Sequence, residues 1–199
     1  MRRARVGVLI SGRGSNMAAL VEAARDPAYP AEIVCVVSNR PDAPGLQFAQ
    51  GLNILTHVVD HKNYSTRESF DTALNDYLQT QNLDVIACAG FMRIMTQALL
   101  DPWAGKMINI HPSLLPLYKG THTHERALAD GAKVHGCTVQ YVTAELDSGP
   151  IIAQAEVPIL GDDTPETLSA RVLVEEHKLY PKALAMVANS IPLPLVGRG

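Results

Sequence analysis

The sequence predicts an α/β fold of three layers, in which a mostly parallel, twisted sheet carries helices on both faces. Two observations predict it. Short apolar runs such as 6–11 and 33–38 contain almost no polar residue, as is typical of strands buried on both faces of a sheet. These runs alternate with helical segments along most of the chain, and such alternation is typical of a parallel sheet with helices packed against it.

The first half of the chain contains four predicted strands and three predicted helices. The strands are 6–11, 33–38, 54–59 and 85–89. The helices are 16–25, 45–50 and 66–81, and Ser65 or Thr66 is the N-cap candidate of the last one. Each helix joins two successive strands, as a parallel sheet requires.

The second half contains three further strands and three further helices. The predicted strands are 107–110, 137–142 and 151–158, and the predicted helices are 97–100, 125–129 and 165–189. Thr164 is expected to cap the last helix, with Pro165 at its first position. Ligands of such sheets bind at the carboxyl ends of the strands. This rule selects the loops 11–16, 88–95, 109–120 and 143–150 as candidate sites.

Composition and charge argue against several classes of function. The formal net charge is −3, and the one basic cluster lies within residues 2–5. A nucleic-acid surface needs a basic stripe, so no nucleic-acid partner is expected. No apolar run is long enough to span a bilayer, so no membrane partner is expected either. Cys35, Cys88 and Cys137 form no C-x-x-C pair, which favours free thiols and a cytoplasmic location.

The loop 11–16 joins the first strand to the first helix and reads Ser-Gly-Arg-Gly-Ser-Asn. Two glycines allow a tight turn, and the free N–H groups of a helix N-terminus favour a phosphate. The loop is not a Walker A motif, and Met17 replaces the third glycine of the dinucleotide fingerprint. The alternative is a plain glycine turn capped by Ser15 or Asn16.

Asn109 and His111 lie two residues apart at the end of a predicted strand, so both side chains project from one face. An amide can donate to a developing oxyanion, and an imidazole can move protons near neutral pH. Asp147 lies in a predicted turn that could face this pair, where a carboxylate would orient His111 and stabilise its protonated form. The alternatives are a capped strand end and an ordinary turn aspartate.

Two other groups of polar residues are candidate ligand sites. His122 and His124 alternate ahead of a helix, but no carboxylate completes a known metal-ligand spacing, so no metal is expected. In the last helix, Glu175 and Glu176 lie at the margin of an apolar stripe. That stripe is predicted to contain Leu168, Val172, Leu179, Ala183 and Met186. A carboxylate there needs a basic group or a ligand hydroxyl, unless it bends outward to solvent.

Five motifs then occur in one order along the chain. They are 11–16 (SGRGSN), 89–94 (AGFMRI), 109–116 (NIHPSLLP), 122–124 (HTH) and 145–150 (ELDSGP). Together they resemble the phosphoribosylglycinamide formyltransferase family, within the folate-dependent formyltransferases, over about 6–181. The resemblance implies a Rossmann-like formyltransferase fold in a single domain, 1–199. It further implies a nucleotide-binding half at about 1–105 and a catalytic and folate-binding half at about 106–199.

The resemblance also implies roles for individual residues. The catalytic residues it implies are Asn109, His111 and Asp147. The residues it implies for the phosphoribosylglycinamide substrate are Gly14, Ser15, Asn16 and Glu176. Those it implies for the folate are Arg67, Met92, Arg93, Ile94, Met95, Asn109, Val142, Thr143, Ala144 and Glu145. Leu173 departs from a polar residue found in a close relative near the sugar phosphate, and Lys119 is assigned no role.

By the same resemblance, the reaction is formyl transfer from 10-formyltetrahydrofolate to the amine of glycinamide ribonucleotide. The resemblance implies that no metal is needed and that the protein is a monomer or homodimer. Three alternatives remain, and the third belongs to a different class of protein. Methionyl-tRNA formyltransferases share 109–116 but carry a further C-terminal domain, which a chain of 199 residues is not expected to contain. Formyltetrahydrofolate deformylases carry an N-terminal regulatory domain, whereas the first predicted strand here begins near residue 5. A catalytically silent nucleotide-binding module is the third alternative.

Overall fold

The structure is a computed structural model that describes residues 2–192. Within them, seven strands form one sheet in the order β3-β2-β1-β4-β5-β6-β7. The strands are β1 Ala4–Ile10, β2 Ala31–Ser38, β3 Leu55–Val58, β4 Val85–Cys88, β5 Met107–His111, β6 Val134–Tyr141 and β7 Ile151–Pro158. Strands β1 to β5 are mutually parallel, and β6 is antiparallel to both of its neighbours. The predicted mostly parallel sheet is confirmed.

Six α-helices accompany the sheet in the described part of the chain. They are α1 Ser15–Ala24, α2 Pro44–Gly51, α3 Arg67–Thr80, α4 Gln97–Leu100, α5 Thr123–Ala129 and α6 Pro165–Ser190. Two short 3₁₀ turns, His61–Asn63 and Asp101–Trp103, were not predicted. The bounds of the predicted strands and helices differ from these by at most three residues, at the start of β6. Between residues 2 and 192, no helix is both long and apolar enough to cross a membrane.

Two apolar cores, one on each face of the sheet, account for the three layers. In β1, Val8 and Ile10 join the core beneath α1, α2 and α6. Leu9 points the other way and joins the core beneath α3 and α4. All three side chains are fully buried. Because successive residues of a strand face opposite sides, an unbroken apolar run is what a strand between two helix layers requires.

One residue of the predicted stripe of α6 is exposed, and the buried face is wider than predicted, because it also contains Tyr180, Leu184 and Ala188. Met186 is 55% exposed, and Val187 is buried in its place. The reason is helical geometry, because the fourth residue after Ala183 returns closer to the same face than the third. The stripe contains Glu176, which is 6% exposed, so the alternative of a solvent-facing glutamate is wrong for this residue. Glu175 instead pairs with Lys178 at 2.8 Å.

The order of the strands places a crevice between β1 and β4, where the order along the chain reverses. The backbone N–H of Ser11 donates to the carbonyl of Gly90 across this point, at 3.2 Å. Loops that leave two neighbouring strands in opposite directions create a binding crevice at their carboxyl ends. The loops after β1 and after β4 are therefore the two walls of the candidate site.

The segment 142–149 reaches this edge by a different route from the one predicted. Tyr141 ends β6 beside Ile108, near the start of β5, because β6 runs antiparallel to β5. The sequence selected 143–150 only as a loop that follows the carboxyl end of a strand, and that end of β6 lies at the opposite edge of the sheet from the end of β5. The segment instead folds back along the sheet, and Asp147 returns to the level of His111 at the end of β5.

Candidate active site

Asn109 and His111 project from one face of β5, as the sequence predicts. Ile108 and Ile110, the alternate residues, pack into the core on the opposite face. Asn109 lines a cleft on its own face. The Nδ1 atom of His111 lies 3.5 Å from Oδ2 of Asp147, and the two side chains are only 6% and 7% exposed. The structure therefore brings the three predicted catalytic residues to one place.

Asp147 is held by two further hydrogen bonds. Its Oδ2 accepts from the backbone N–H of Gly120 at 2.8 Å, and its Oδ1 accepts from Nε2 of Gln140 at 3.2 Å. The residue adopts a left-handed backbone conformation, with φ of 49°. This conformation is uncommon outside glycine, asparagine and aspartate. Such a buried, triply contacted carboxylate is not an ordinary surface-turn aspartate.

Both ring nitrogens of His111 face oxygen atoms. Nε2 lies 3.0 Å from the carbonyl oxygen of Tyr118, while Nδ1 faces the carboxylate of Asp147. A neutral imidazole can donate from only one of its two nitrogens. The ring of His111 can therefore donate to both oxygens only when both nitrogens carry a proton. The arrangement therefore suits an imidazole that acts as a proton donor.

A first, largely apolar cleft opens beside Asn109. Of the residues predicted to bind folate, those that line it are Arg93, Ile94, Met95, Asn109, Val142, Thr143 and Ala144. The remaining predicted residues lie elsewhere. Met92 lines the neighbouring cleft, whereas Arg67 and Glu145 are exposed and line neither. Lys119, which was assigned no role, lies 3.5 Å from Glu145.

A second, polar cleft opens at the N-terminus of α1 and is lined by Gly14, Ser15 and Asn16 together with Arg13. Gly14 is the N-cap residue, with φ of 71°, and no side chain caps the helix. The alternative in which Ser15 or Asn16 caps this turn is therefore wrong, because both belong to the first turn of α1. Uncapped N–H groups at a helix N-terminus are available to an anion.

Glu176 lines neither cleft but is connected to the polar cleft through a contact with Asn16. The amide Nδ2 of Asn16 donates to Oε2 of Glu176 at 2.6 Å. Burial raises the pKa of Glu176, and the hydrogen bond from Asn16 opposes the rise. A buried carboxylate with one amide partner keeps acceptor capacity, so it can bind ligand hydroxyls.

Several residues of the site were missed by sequence reasoning. Asn39 is 3% exposed and accepts from the hydroxyl of Ser11 at 2.6 Å, and that hydroxyl accepts from the N–H of Met92 at 2.8 Å. These bonds connect the loops after β1, β2 and β4. Gln140, the partner of Asp147, was also missed. Both carry one available signal, which is a polar side chain within or directly after an otherwise buried strand.

The histidines near this site form a pair. Nε2 of His135 lies 3.2 Å from Nδ1 of His124. Burial, and to a lesser extent the nearby His124, lower the pKa of His135 to about 4. Between residues 2 and 192, no group of three or more His, Cys, Asp or Glu side chains is arranged to hold a metal ion.

With this geometry established, comparison with known proteins gives the class of the chain. Residues 4–184 match the formyl transferase family, and the chain therefore belongs to this family. Within that family it is similar to phosphoribosylglycinamide formyltransferase of Escherichia coli. The two are 42% identical over 182 residues, which cover 92% of this chain and 86% of that protein. The predicted resemblance is confirmed.

Solved structures give the same result. The chain is similar to phosphoribosylglycinamide formyltransferase from Brucella melitensis, with a TM-score of 0.91 and 48% identity over 96% of this chain and 99% of that one. Glycinamide ribonucleotide transformylase 1 from Symbiobacterium toebii has a TM-score of 0.92 and 42% identity, over 94% and 88%.

The chain also matches part of a longer protein. It is 48% identical over 188 residues to the trifunctional purine biosynthetic protein adenosine-3 of Bos taurus. That match covers 94% of this chain and 19% of the cattle protein, so the chain spans about a fifth of the length of this relative.

Proposed function

We propose that the chain transfers a formyl group from 10-formyltetrahydrofolate to the amine of glycinamide ribonucleotide, a step of purine biosynthesis. The observation that carries the proposal is the position of Asn109, His111 and Asp147 beside an apolar cleft, with a polar cleft at the N-terminus of α1 nearby. Arg93 lines both clefts, so they adjoin. Two adjoining sites of different polarity suit a flat apolar donor and a phosphorylated acceptor.

In the proposed reaction, the acceptor nitrogen attacks the formyl carbon and a new C–N bond forms. The bond from the formyl carbon to N10 of the folate then breaks, giving formylglycinamide ribonucleotide and tetrahydrofolate. The acceptor amine loses one proton and N10 gains one, so the step is balanced. Negative charge develops on the formyl oxygen, and the amide of Asn109 donates a hydrogen bond to it.

His111 supplies the proton to N10, directly or through one water, and Asp147 stabilises the imidazolium that holds it. The hydrogen bond from Nε2 to the carbonyl of Tyr118 has to be exchanged for one to the substrate. The scheme uses the side chains of Asn109, His111 and Asp147, and it requires no metal.

For the acceptor, we propose that the N–H groups of Gly14, Ser15 and Asn16 bind the phosphate and that Glu176 accepts from the ribose hydroxyls. The N-terminus of α1 attracts a phosphate dianion, and Arg13 beside it adds a positive charge. The proposed roles therefore cross the predicted halves. The phosphate loop lies in the first half, while Glu176 lies in the second.

For the donor, we propose that Arg93, Ile94 and Met95 on one wall, and residues 142–144 on the other, hold the pterin of the folate. Ile94 is 63% exposed, as an apolar side chain that awaits a flat ligand would be. Met92, Arg67 and Glu145 lie outside this cleft. They contribute only if they reach the benzoyl-glutamate part of the folate.

We also propose that the substrates are small molecules and that the protein binds neither a nucleic acid nor a membrane. We further propose that it is cytoplasmic and is a monomer or homodimer. The test is an assay of folate release, followed by absorbance, with glycinamide ribonucleotide or initiator methionyl-tRNA as acceptor. We expect turnover with the ribonucleotide alone. Comparable turnover with the tRNA would contradict the proposal, and release of formate without an acceptor would indicate a deformylase.

A further inference from the structure

One loop forms part of both clefts. The loop 89–96, between β4 and α4, places Met92 in the polar cleft and Ile94 and Met95 in the apolar cleft, while Arg93 lines both. Its backbone is held at two points by buried side chains. The hydroxyl of Ser11 accepts from the N–H of Met92 at 2.8 Å. Near the other end, Oδ2 of Asp71 accepts from the N–H of Thr96 at 2.5 Å.

Asp71 lies on α3, where a carboxylate is unexpected. It is 1% exposed, and Phe70 and Leu74 beside it belong to the core beneath that helix. Burial raises the pKa of Asp71, and hydrogen bonds from Thr96 and the charge of Arg93 oppose the rise. Burying a carboxylate is costly unless it is partnered, and the strongest partner here is the loop. The apolar neighbours of Asp71 give no reason for a carboxylate on this face of α3.

Phe70 holds the loop from the neighbouring position of α3. The guanidinium carbon of Arg93 lies over the Phe70 ring, 5.2 Å from its centre, and the ring of Phe91 stacks on it at 6.5 Å. Residues 70 and 71 thus contact the loop near its start, middle and end. Side chains held in this way keep a binding wall in shape before the ligand arrives, which reduces the ordering cost of binding.

We propose that Asp71 is a positioning residue for the folate, because its hydrogen bond to Thr96 fixes the part of the loop that forms the apolar cleft. The inference rests on the proposed function and adds a residue to it. Asp71 touches neither cleft, so it acts only through the loop. The polar cleft keeps its own anchor at Ser11, so the loss of Asp71 should affect the two substrates unequally.

The test compares three variants of the full chain. Asp71→Leu removes the acceptor without leaving a cavity, and Asp71→Asn keeps an oxygen but removes the charge. Asn75→Ala is the matched control, because Asn75 is buried one turn along α3 and accepts from the indole of Trp103, not from the loop. The measurements are both KM values, kcat, and amide hydrogen exchange of residues 91–97.

In Asp71→Leu, we expect KM for 10-formyltetrahydrofolate to rise by about tenfold or more, the usual effect of a lost charge-assisted hydrogen bond. KM for glycinamide ribonucleotide should stay within about twofold, and the amide of Thr96 should exchange at least about tenfold faster. Asp71→Asn should give a smaller change of the same kind. Asn75→Ala should change neither the exchange of the loop nor the ratio of the two KM values.

Equal rises in both KM values, or unchanged exchange at Thr96, would overturn the inference. Should Asp71→Leu fail to fold, wild-type KM and exchange in Asp71→Asn would overturn it as well. Failure of the proposed function looks different, because the wild-type chain would then not formylate glycinamide ribonucleotide at all. In that case, binding of tetrahydrofolate by calorimetry decides the inference. Weaker binding in Asp71→Asn would support it, and absence of binding in the wild type would overturn it.

Discussion

Asp147→Asn removes a negative charge beside His111 with little change of shape. Asparagine tolerates the left-handed conformation that Asp147 adopts, so the backbone need not move. The new amide can keep its oxygen towards Gly120 and turn its NH₂ group towards Gln140. Gln140 has a buried Oε1 with no hydrogen-bond partner in residues 2–192, so flipping its amide offers an acceptor. The free energy of unfolding should therefore fall by only about 1 kcal/mol or less.

The effect on catalysis should be much larger. The distance from Nδ1 of His111 to Oδ2 of Asp147 is 3.5 Å. At an effective dielectric constant of about 20, opposite unit charges at this separation attract by about 4–5 kcal/mol. Without that attraction the protonated imidazole that donates to N10 is destabilised by a similar energy, which corresponds to a fall in kcat of about 10³-fold, with a range of about 10²–10⁴. The variant should therefore fold normally and turn over slowly.

The assay is kcat and thermal unfolding of four enzymes: wild type, Asp147→Asn, His111→Ala and the double variant. If the two residues act as one unit, adding Asp147→Asn to His111→Ala should cost little. The control is Asp163→Asn, which removes an equally buried carboxylate, paired with Arg171 at 2.7 Å and remote from the site. This control should lower the melting temperature and leave kcat unchanged. Fully additive losses, or a wild-type kcat in Asp147→Asn, would refute the coupling.

Four further predictions address the rest of the site. Asn109→Ala should lower kcat by about 10²–10³; a normal kcat with a weaker KM would assign it to binding. Gly14→Val should raise KM for the phosphorylated substrate alone, because φ of 71° strains a side chain there, and parallel losses would indicate general collapse of the loop. Glu176→Gln should raise KM for the ribonucleotide yet increase the melting temperature at pH 8. The raised pKa of Glu176 means that its ionised form is the destabilising one, and an unchanged melting temperature would contradict this. The pKa of His135, lowered to about 4, means that the unfolded state binds more protons above that pH. Stability should therefore fall as the pH drops from about 6.5 to 4, and less steeply in His135→Gln; equal slopes would exclude His135 as the cause.

The fold could be predicted in detail because its signals are local. The run 6–11 already shows a strand buried on both faces, and Thr164 with Pro165 marks the start of α6 to the residue. The direction of β6 could not be predicted. An apolar run reads the same whether its strand pairs parallel or antiparallel, and the direction depends on contacts with β5 that are distant in sequence.

The candidate site was predictable where polar residues follow strands directly, as Asn109 and His111 do. Residues that act through other residues carry a weaker signal. Asp71 is one polar residue on one helix, and its partner Thr96 lies 25 residues further along the chain. Asn39 looks like a residue that merely ends β2. Its link to Ser11 depends on how β1 and β2 are aligned, which sequence patterns do not give.

Because segment 142–149 folds back along the sheet, the number of residues in this loop determines where the carboxylate of Asp147 lies. Gly149 packs so closely on the end of β6 that an added Cβ would lie 1.7 Å from the carbonyl oxygen of Tyr141, so the loop has no slack at that point. One inserted residue lengthens the path by up to about 3.5 Å. That is more than the 2.8 Å bond from Gly120 to the Asp147 carboxylate can absorb. Insertions and deletions in this loop therefore displace the carboxylate of Asp147 from the imidazole of His111.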